Sequence, residues 1–148
     1  MILAQLSDPH TRTGDGGAEA VASLEAGVRA VLALRPRPDA VLVTGDLADT
    51  AAAEEYSIVR HALARLPMPV HVLGGNHDDR DALREWFPLA GAKGADGAAA
   101  TGGAAAGAEY RYVADVAGTR LVVCDSTVPL RPEGRLDLAW LEAQLDAP

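Results

Sequence analysis

Lysine occurs once in this chain of 148 residues, at Lys93, and so do phenylalanine (Phe87), cysteine (Cys124) and asparagine (Asn76). Each scarcity excludes something. A single cysteine rules out an intrachain disulfide, and its place in the apolar run Leu121–Cys124 reads as a buried thiol. Thirteen basic residues against 21 acidic ones leave a net charge of −8. That balance argues against a nucleic-acid polymer as partner, because such affinity comes largely from phosphate neutralisation by Lys and Arg. A small phosphate ester stays open, provided that cations supply the positive charge. No run reaches 18 apolar residues, and no basic segment precedes an apolar one at the amino terminus. The chain therefore reads as a soluble, cytoplasmic protein with no membrane partner.

Aromatic residues make up only 4% of the chain, and 30 of the residues behind its 49% hydrophobic fraction are alanine. The core must come mainly from Val, Leu and Ile. The length suits one domain, long enough to bury roughly 68–70% of its unfolded surface. Arginine outnumbers lysine 12 to 1, which with the alanine excess points to the coding bias of a GC-rich bacterial genome.

Three short motifs stand out: Ser7-Asp8-Pro9-His10, Gly45-Asp46-Leu47-Ala48-Asp49 and Gly74-Gly75-Asn76-His77-Asp78. Each follows a run that reads as a buried strand, at Ile2–Leu6, Ala40–Thr44 and Val70–Leu73. Asp8 to Asp46 is 38 residues and Asp46 to Asn76 is 30, about one βαβ step each. Three successive parallel strands would thus end in oxygen and nitrogen donors, where open α/β sheets bind their ligands.

Between the strands, Val21, Leu24, Val28 and Val31 share one helical face of 18–34, and Pro36 and Pro38 follow. Tyr56, Val59, Leu63 and Leu66 do the same within 51–66. Asp78 or Asp79 can cap a short helix that runs to about Phe87. From Ala90 to Ala108, 16 of 19 residues are Ala or Gly, too little side chain to offset ordering entropy, so a flexible loop is expected. A hairpin over 109–125 turning at Ala117-Gly118 comes next, then a helix over Leu136–Leu145 with Leu138, Leu141 and Leu145 as its apolar stripe. The order β-α-β-α-β-α plus hairpin indicates an α/β fold, a parallel sheet extended by further strands.

Alone, Asp8-x-His10 is weak: composition gives roughly 0.35 such pairs by chance. Its bland alternative is a turn in which Asp8 caps backbone amides, and Gly45-Asp46-x-x-Asp49 has a similar one, an aspartate N-cap. Gly75-Asn76-His77-Asp78 is far more specific, with a chance of roughly 2 × 10⁻⁴. Electrostatics agrees. Two carboxylates converging to about 4 Å repel by ~4 kcal/mol at an effective dielectric of 20, and neither aspartate motif contains Lys or Arg. Divalent cations would remove that penalty, and mixed O and N donors suit Mn, Fe, Zn or Co.

These motifs resemble the D-x-H, G-D-x-x-D and G-N-H-D signatures of the calcineurin-like metallophosphoesterases. Gly45-Asp-Leu-Ala-Asp49 and Gly75-Asn-His-Asp-Asp-Arg80 look most like the class III branch of cyclic-nucleotide and glycerophosphodiester phosphodiesterases. Asp125-Ser126, Gly134 and the Trp140–Leu145 helix match it too, so the likeness covers all but the Ala/Gly stretch. It implies an α-β-β-α sandwich and two divalent metal ions about 3.5–4 Å apart that share a bridging hydroxide. Carried over by position, Asp8 and His10 bind one metal, Asp46 bridges both and Asn76 binds the second. His77 stabilises charge or protonates the leaving group, and Asp49 orients that histidine. The implied activity is hydrolysis of a small phosphodiester.

The chain also departs from the family, which closes its site with three further histidines, two in a carboxyl-terminal G-H-x-H. Its four histidines, His10, His61, His71 and His77, all lie upstream of Asp78. His61 reads as a solvated helix residue and His71 as a satisfied structural histidine. Residues 1–148 are therefore expected to form a single, truncated amino-terminal part of the fold. A bare sheet face would then call for a homo-oligomer or the missing carboxyl-terminal portion. The alternative function is a non-catalytic module that binds a metal or a partner. An aspartate-nucleophile phosphatase is disfavoured, since it needs D-x-D and a placed lysine, whereas position 10 is His.

Overall fold

The computed structural model describes residues 1–88, 107–128, 131 and 133–146. The loop expected over 90–108 lies outside these, apart from Gly107 and Ala108. In chain order the elements are β1 (Leu3–Ser7), α1 (Gly17–Ala33), β2 (Ala40–Thr44), α2 (Ala53–Leu63), β3 (Val70–Leu73), α3 (Arg80–Trp86), β4 (Tyr112–Val116), β5 (Thr119–Val123) and α4 (Leu138–Asp146). The α/β reading holds. β1, β2 and β3 form a parallel sheet in that order.

Register is what matters for function. Ser7 pairs with Thr44, and Thr44 with Leu73, so all three strands stop at one level and release their motifs side by side. Burial sets that register. Val41, Val43 and Val72 face the core with Leu24, Val28 and Val31 of α1 and Tyr56 and Val59 of α2. A one-residue slip would turn every buried strand side chain to the other face.

Local chemistry sets the helix ends. The buried Glu55 carboxylate accepts from Thr50 N (2.9 Å) and Ala52 N (3.2 Å), half of a capping box at the start of α2. α2 ends at Leu63, three residues before Leu66, because Pro67 disfavours a helical conformation in the residue before it. Asp79, not Asp78, caps α3, accepting from Asp81 N and Ala82 N.

Two expectations need correction. The hairpin does not extend the parallel sheet: β4 and β5 form their own two-stranded sheet. They turn through Ala117 and Gly118, both at positive φ (48° and 78°), as a two-residue hairpin loop requires. A side chain makes the tie to the parallel sheet, Tyr112 Oη donating to Val72 O at 3.0 Å. In α4 the inward face is also not the leucine stripe. Leu138 and Leu145 are exposed, while Trp140 and Leu141 are half-buried and Gln144 is buried, so the inward face is turned from the stripe and keeps only Leu141 of it. Arg111 decides this: its guanidinium lies 4.7 Å from the Trp140 ring centre and 2.7 Å from Asp137 Oδ2.

Candidate metal centre

Beyond the sheet, the first two motif turns stay zipped by backbone bonds. Asp8 N donates to Thr44 O (3.0 Å), His10 N to Asp46 O (2.9 Å), Thr11 N to Leu47 O (3.1 Å) and Asp49 N to Thr11 O (3.0 Å). The geometry forces Asp8 and His10 to positive φ, 51° and 40°. Left-handed backbone outside glycine costs on the order of 1–3 kcal/mol and gathers at functional sites. The third turn packs directly on the second. A Cβ on Gly75 would lie 2.1 Å from Asp46 Oδ1 and 2.5 Å from Asp46 N, so only glycine admits the approach.

His10, Asp46 and His77 each contribute a ligand atom to a group lying within 4.8 Å of one another. His10 Nε2 is 3.3 Å from Asp46 Oδ2, and the His10 and His77 rings meet edge to face with centres 4.9 Å apart. Asp8 is not in this group. Its carboxylate lies over Gly45, with Oδ2 bonded to the Ser7 hydroxyl. Asn76 stands beside His77 on the same turn and is exposed.

Hydrogen bonds place one proton on each ring. Asp49 Oδ1 lies 3.1 Å from His10 Nδ1, and a carboxylate can only accept, so Nδ1 carries a proton and Nε2 is the nitrogen turned to Asp46. Asp49 O lies 2.7 Å from His77 Nδ1 and likewise only accepts, so that nitrogen also carries a proton. The motif reading has Asp49 orient His77. Its backbone carbonyl is what meets His77, while its carboxylate serves His10. That carbonyl bond, reinforced by the charges of Asp46, Asp49 and Asp78, raises the His77 pKa.

The donor set fits a cation. His10 Nε2 lies 3.3 Å from Asp46 Oδ2, and in the neutral ring with its proton on Nδ1 these are two acceptors that a proton or a cation between them would draw together. A ring nitrogen facing the site while the other donates to a carboxylate is the usual arrangement of a metal-bound histidine. Arg12 Nε approaches no nearer than 4.0 Å to Asp49 Oδ2, so it offers little neutralisation.

The other two histidines stand apart. His61 is exposed, as read. His71 is not satisfied: its Nε2 is buried without a hydrogen-bond partner among the described residues, and burial lowers its pKa. A cavity of about 600 Å³ beside it is lined by Trp86, Phe87, Tyr110 and Tyr112, and by none of the six predicted site residues. Two residues that the motif reading left without a role also emerge. Arg80 Nε lies 2.8 Å from the buried Asp125 Oδ2, pinning the end of the hairpin to the start of α3. Asp78 bonds to backbone in both neighbouring turns. The Gly75–Asp78 run could have flagged Asp78, but spacing carries no sign of what it accepts from.

Residues 1–140 match the family model described as calcineurin-like phosphoesterase. The chain is 35% identical over 153 residues to a glycerophosphodiester phosphodiesterase of Enterobacter lignolyticus, covering 98% of this chain and 51% of that protein. It is 30% identical over 141 residues to a 3',5'-cyclic adenosine monophosphate phosphodiesterase of Pseudomonas aeruginosa, covering 93% and 46%. A probable cyclic nucleotide phosphodiesterase of Rhodococcus erythropolis is 31% identical over 157 residues, covering 99% and 48%. The chain thus spans about half the length of these curated relatives. No helix among the described residues is long and apolar enough to cross a membrane. With the family model spanning nearly the whole chain, and three motif turns gathered at one sheet end, this chain belongs to the calcineurin-like phosphoesterase family.

Proposed function

We propose that this chain forms the metal-binding part of a phosphoesterase that hydrolyses a small phosphodiester of the cyclic-nucleotide or glycerophosphodiester class. The convergence of His10, Asp46 and His77 is the observation that carries the reading. The named activities of the relatives supply the substrate class.

In this reading Asp8 and His10 hold one divalent ion, Asn76 holds a second, and Asp46 is shared between them as the hub of a binuclear centre. When bound, such ions supply Lewis-acid charge against the phosphate and lower the pKa of a water. The protein's own work is placement. Asp49 holds His10 through Nδ1 and so keeps Nε2 turned to the site. Its carbonyl holds His77 Nδ1, and in the protonated imidazolium, which the raised pKa favours, Nε2–H is the group that can stabilise phosphate charge or give a proton to the departing alkoxide oxygen. The cluster also favours a second reading, with His77 as a metal ligand. Loss of metal content in His77→Ala supports the second, and loss of turnover with metal retained supports the first.

The test is hydrolysis of bis(p-nitrophenyl) phosphate with added Mn²⁺, beside Asp46→Ala and with Mn²⁺ binding measured in parallel. Turnover that disappears in Asp46→Ala supports the proposal. Turnover that survives there overturns the shared-ligand role. Mn²⁺ binding without turnover makes the chain a non-catalytic metal-binding module.

A further inference from the structure

We infer that Asp78 is a positioning residue of this site: its carboxylate holds the turns bearing Asp46 and His77 together without meeting the cation itself. The inference rests on the metal-site reading above and assigns a residue which that reading leaves without a role.

The argument starts from an asymmetry between the turns. The first and second motif turns continue the backbone ladder beyond the strands, through His10 N to Asp46 O and Thr11 N to Leu47 O. The backbone bonds between β2 and β3 end at Gly45 N to Leu73 O, 2.9 Å. Past that point, the bonds between the second and third turns run through side chains among the described residues. His77 N donates to Asp46 Oδ1 at 2.9 Å, and His77 Nδ1 to Asp49 O at 2.7 Å. Both of these bonds use site residues, whose geometry is the thing to be explained.

Asp78 supplies the remaining links. Its Oδ2 accepts from Leu47 N and Gly75 N, both at 2.9 Å, and its Oδ1 accepts from Ala48 N at 3.1 Å. One carboxylate therefore binds the two residues after Asp46 and the residue before Asn76. The Tyr56 hydroxyl stands beside Asp78 and accepts from Asp79 N at 2.9 Å. Tyr56 itself is fully buried. A phenol anchored in the core thus holds the chain at Asp79, next to the carboxylate that holds both turns. With both oxygens committed to backbone N–H groups, Asp78 is absent from the cluster of His10, Asp46 and His77.

The chemistry requires a carboxylate. Asparagine has one acceptor oxygen, and its amide NH₂ would face either Ala48 N–H or the Leu47 and Gly75 N–H pair, donor against donor. Asp78→Asn should therefore let the second and third turns separate at nearly unchanged side-chain volume. Tyr56→Phe removes the acceptor of Asp79 N–H beside the carboxylate and leaves both turns bonded to Asp78.

Co²⁺ titration followed by visible absorption reads the ligand geometry directly and needs no turnover. Far-UV circular dichroism and a thermal melt of the metal-free protein accompany it. The expected result is that Asp78→Asn binds Co²⁺ about tenfold or more weakly, with an altered band at saturation, and that Tyr56→Phe shows a smaller loss of about threefold. A lower melting temperature with unchanged Co²⁺ affinity and band overturns the inference, because Asp78 is then merely structural. If Asp78→Asn does not fold, Tyr56→Phe decides on the same criterion. Asp46→Ala separates the two levels of the argument. Wild-type binding that is lost in Asp46→Ala sustains the metal-site reading whatever Asp78→Asn does. Absence of wild-type Co²⁺ binding overturns that reading and this inference together.

Discussion

β3 carries a histidine at its middle and another just past its end, and the two occupy opposite environments. His71 lies beside a roomy aromatic cavity, its Nε2 buried without a partner, and burial lowers its pKa. His77 is exposed, its Nδ1 is held by the Asp49 carbonyl, and its pKa is raised. The cavity is roomy, yet beside its aromatic rings it brings only His71, Arg60 and Asp115, and the buried His71 nitrogen has no partner among the described residues. At the motif turns the ligand atoms of three strand ends converge, and each histidine has one nitrogen fixed by Asp49. Convergent, oriented donors mark the chemistry here better than volume does.

The contrast can be broken at the motif end first. Gly75→Ala should cost about 3 kcal/mol and strip the chain of metal affinity, since the new Cβ meets Asp46 Oδ1 at 2.1 Å and Asp46 N at 2.5 Å. A thermal melt with metal titration checks this, and an unshifted melt would mean that the turns are not packed as described. Asp49→Asn comes next, because it weakens the hold on His10 without removing a proposed ligand. Turnover should fall about 10–100-fold, with a smaller loss of metal content. Metal analysis beside kinetics decides it, and the reverse order would make Asp49 a ligand.

Changes at the cavity end should spare the site. Tyr112→Phe removes the bond to Val72 O and should cost about 1 kcal/mol in urea unfolding, with metal affinity unchanged. His71 gives the smallest effect and the clearest sign. Burial holds its folded pKa below the ordinary histidine value of 6.5, so the unfolded chain takes up the proton first as pH falls. Stability from this group is whole above pH 6.5 and is lost as pH drops towards the folded pKa. His71→Phe should flatten that loss and, by removing an unpartnered buried nitrogen, leave stability at neutral pH equal or higher. Unfolding measured at pH 7.5 and 5.5 tests it, and an unchanged slope in His71→Phe would assign the loss to other groups.

The errors of sequence reading have physical causes. The stripe Leu138, Leu141 and Leu145 has helical spacing, but spacing alone could not reveal that Arg111 would draw Asp137 and Trp140 inward. The hairpin showed its two strands and its turn, yet nothing in periodicity says which sheet a strand joins. Asp49 was legible as a positioning group for His77, but not its second contact, because the carbonyl of this one residue meets His77 while its carboxylate points to His10.

What the amino-acid sequence determined by itself was local in origin. Apolar runs of strand length, helical periods between them and motifs after each run dictate β-α-β-α-β-α and put Asp8, His10, Asp46, Asp49, Asn76 and His77 in turns. The tertiary structure decided what depends on distance across the chain. The shared register of Ser7, Thr44 and Leu73 brings the turns to one level. The close seat of Gly75 on Asp46, and Asp78 reaching the amides of Leu47 and Ala48, bring donors some 30 residues apart into one cluster. Hydrogen-bond partners are chosen by position and direction in space, and a linear spacing carries neither.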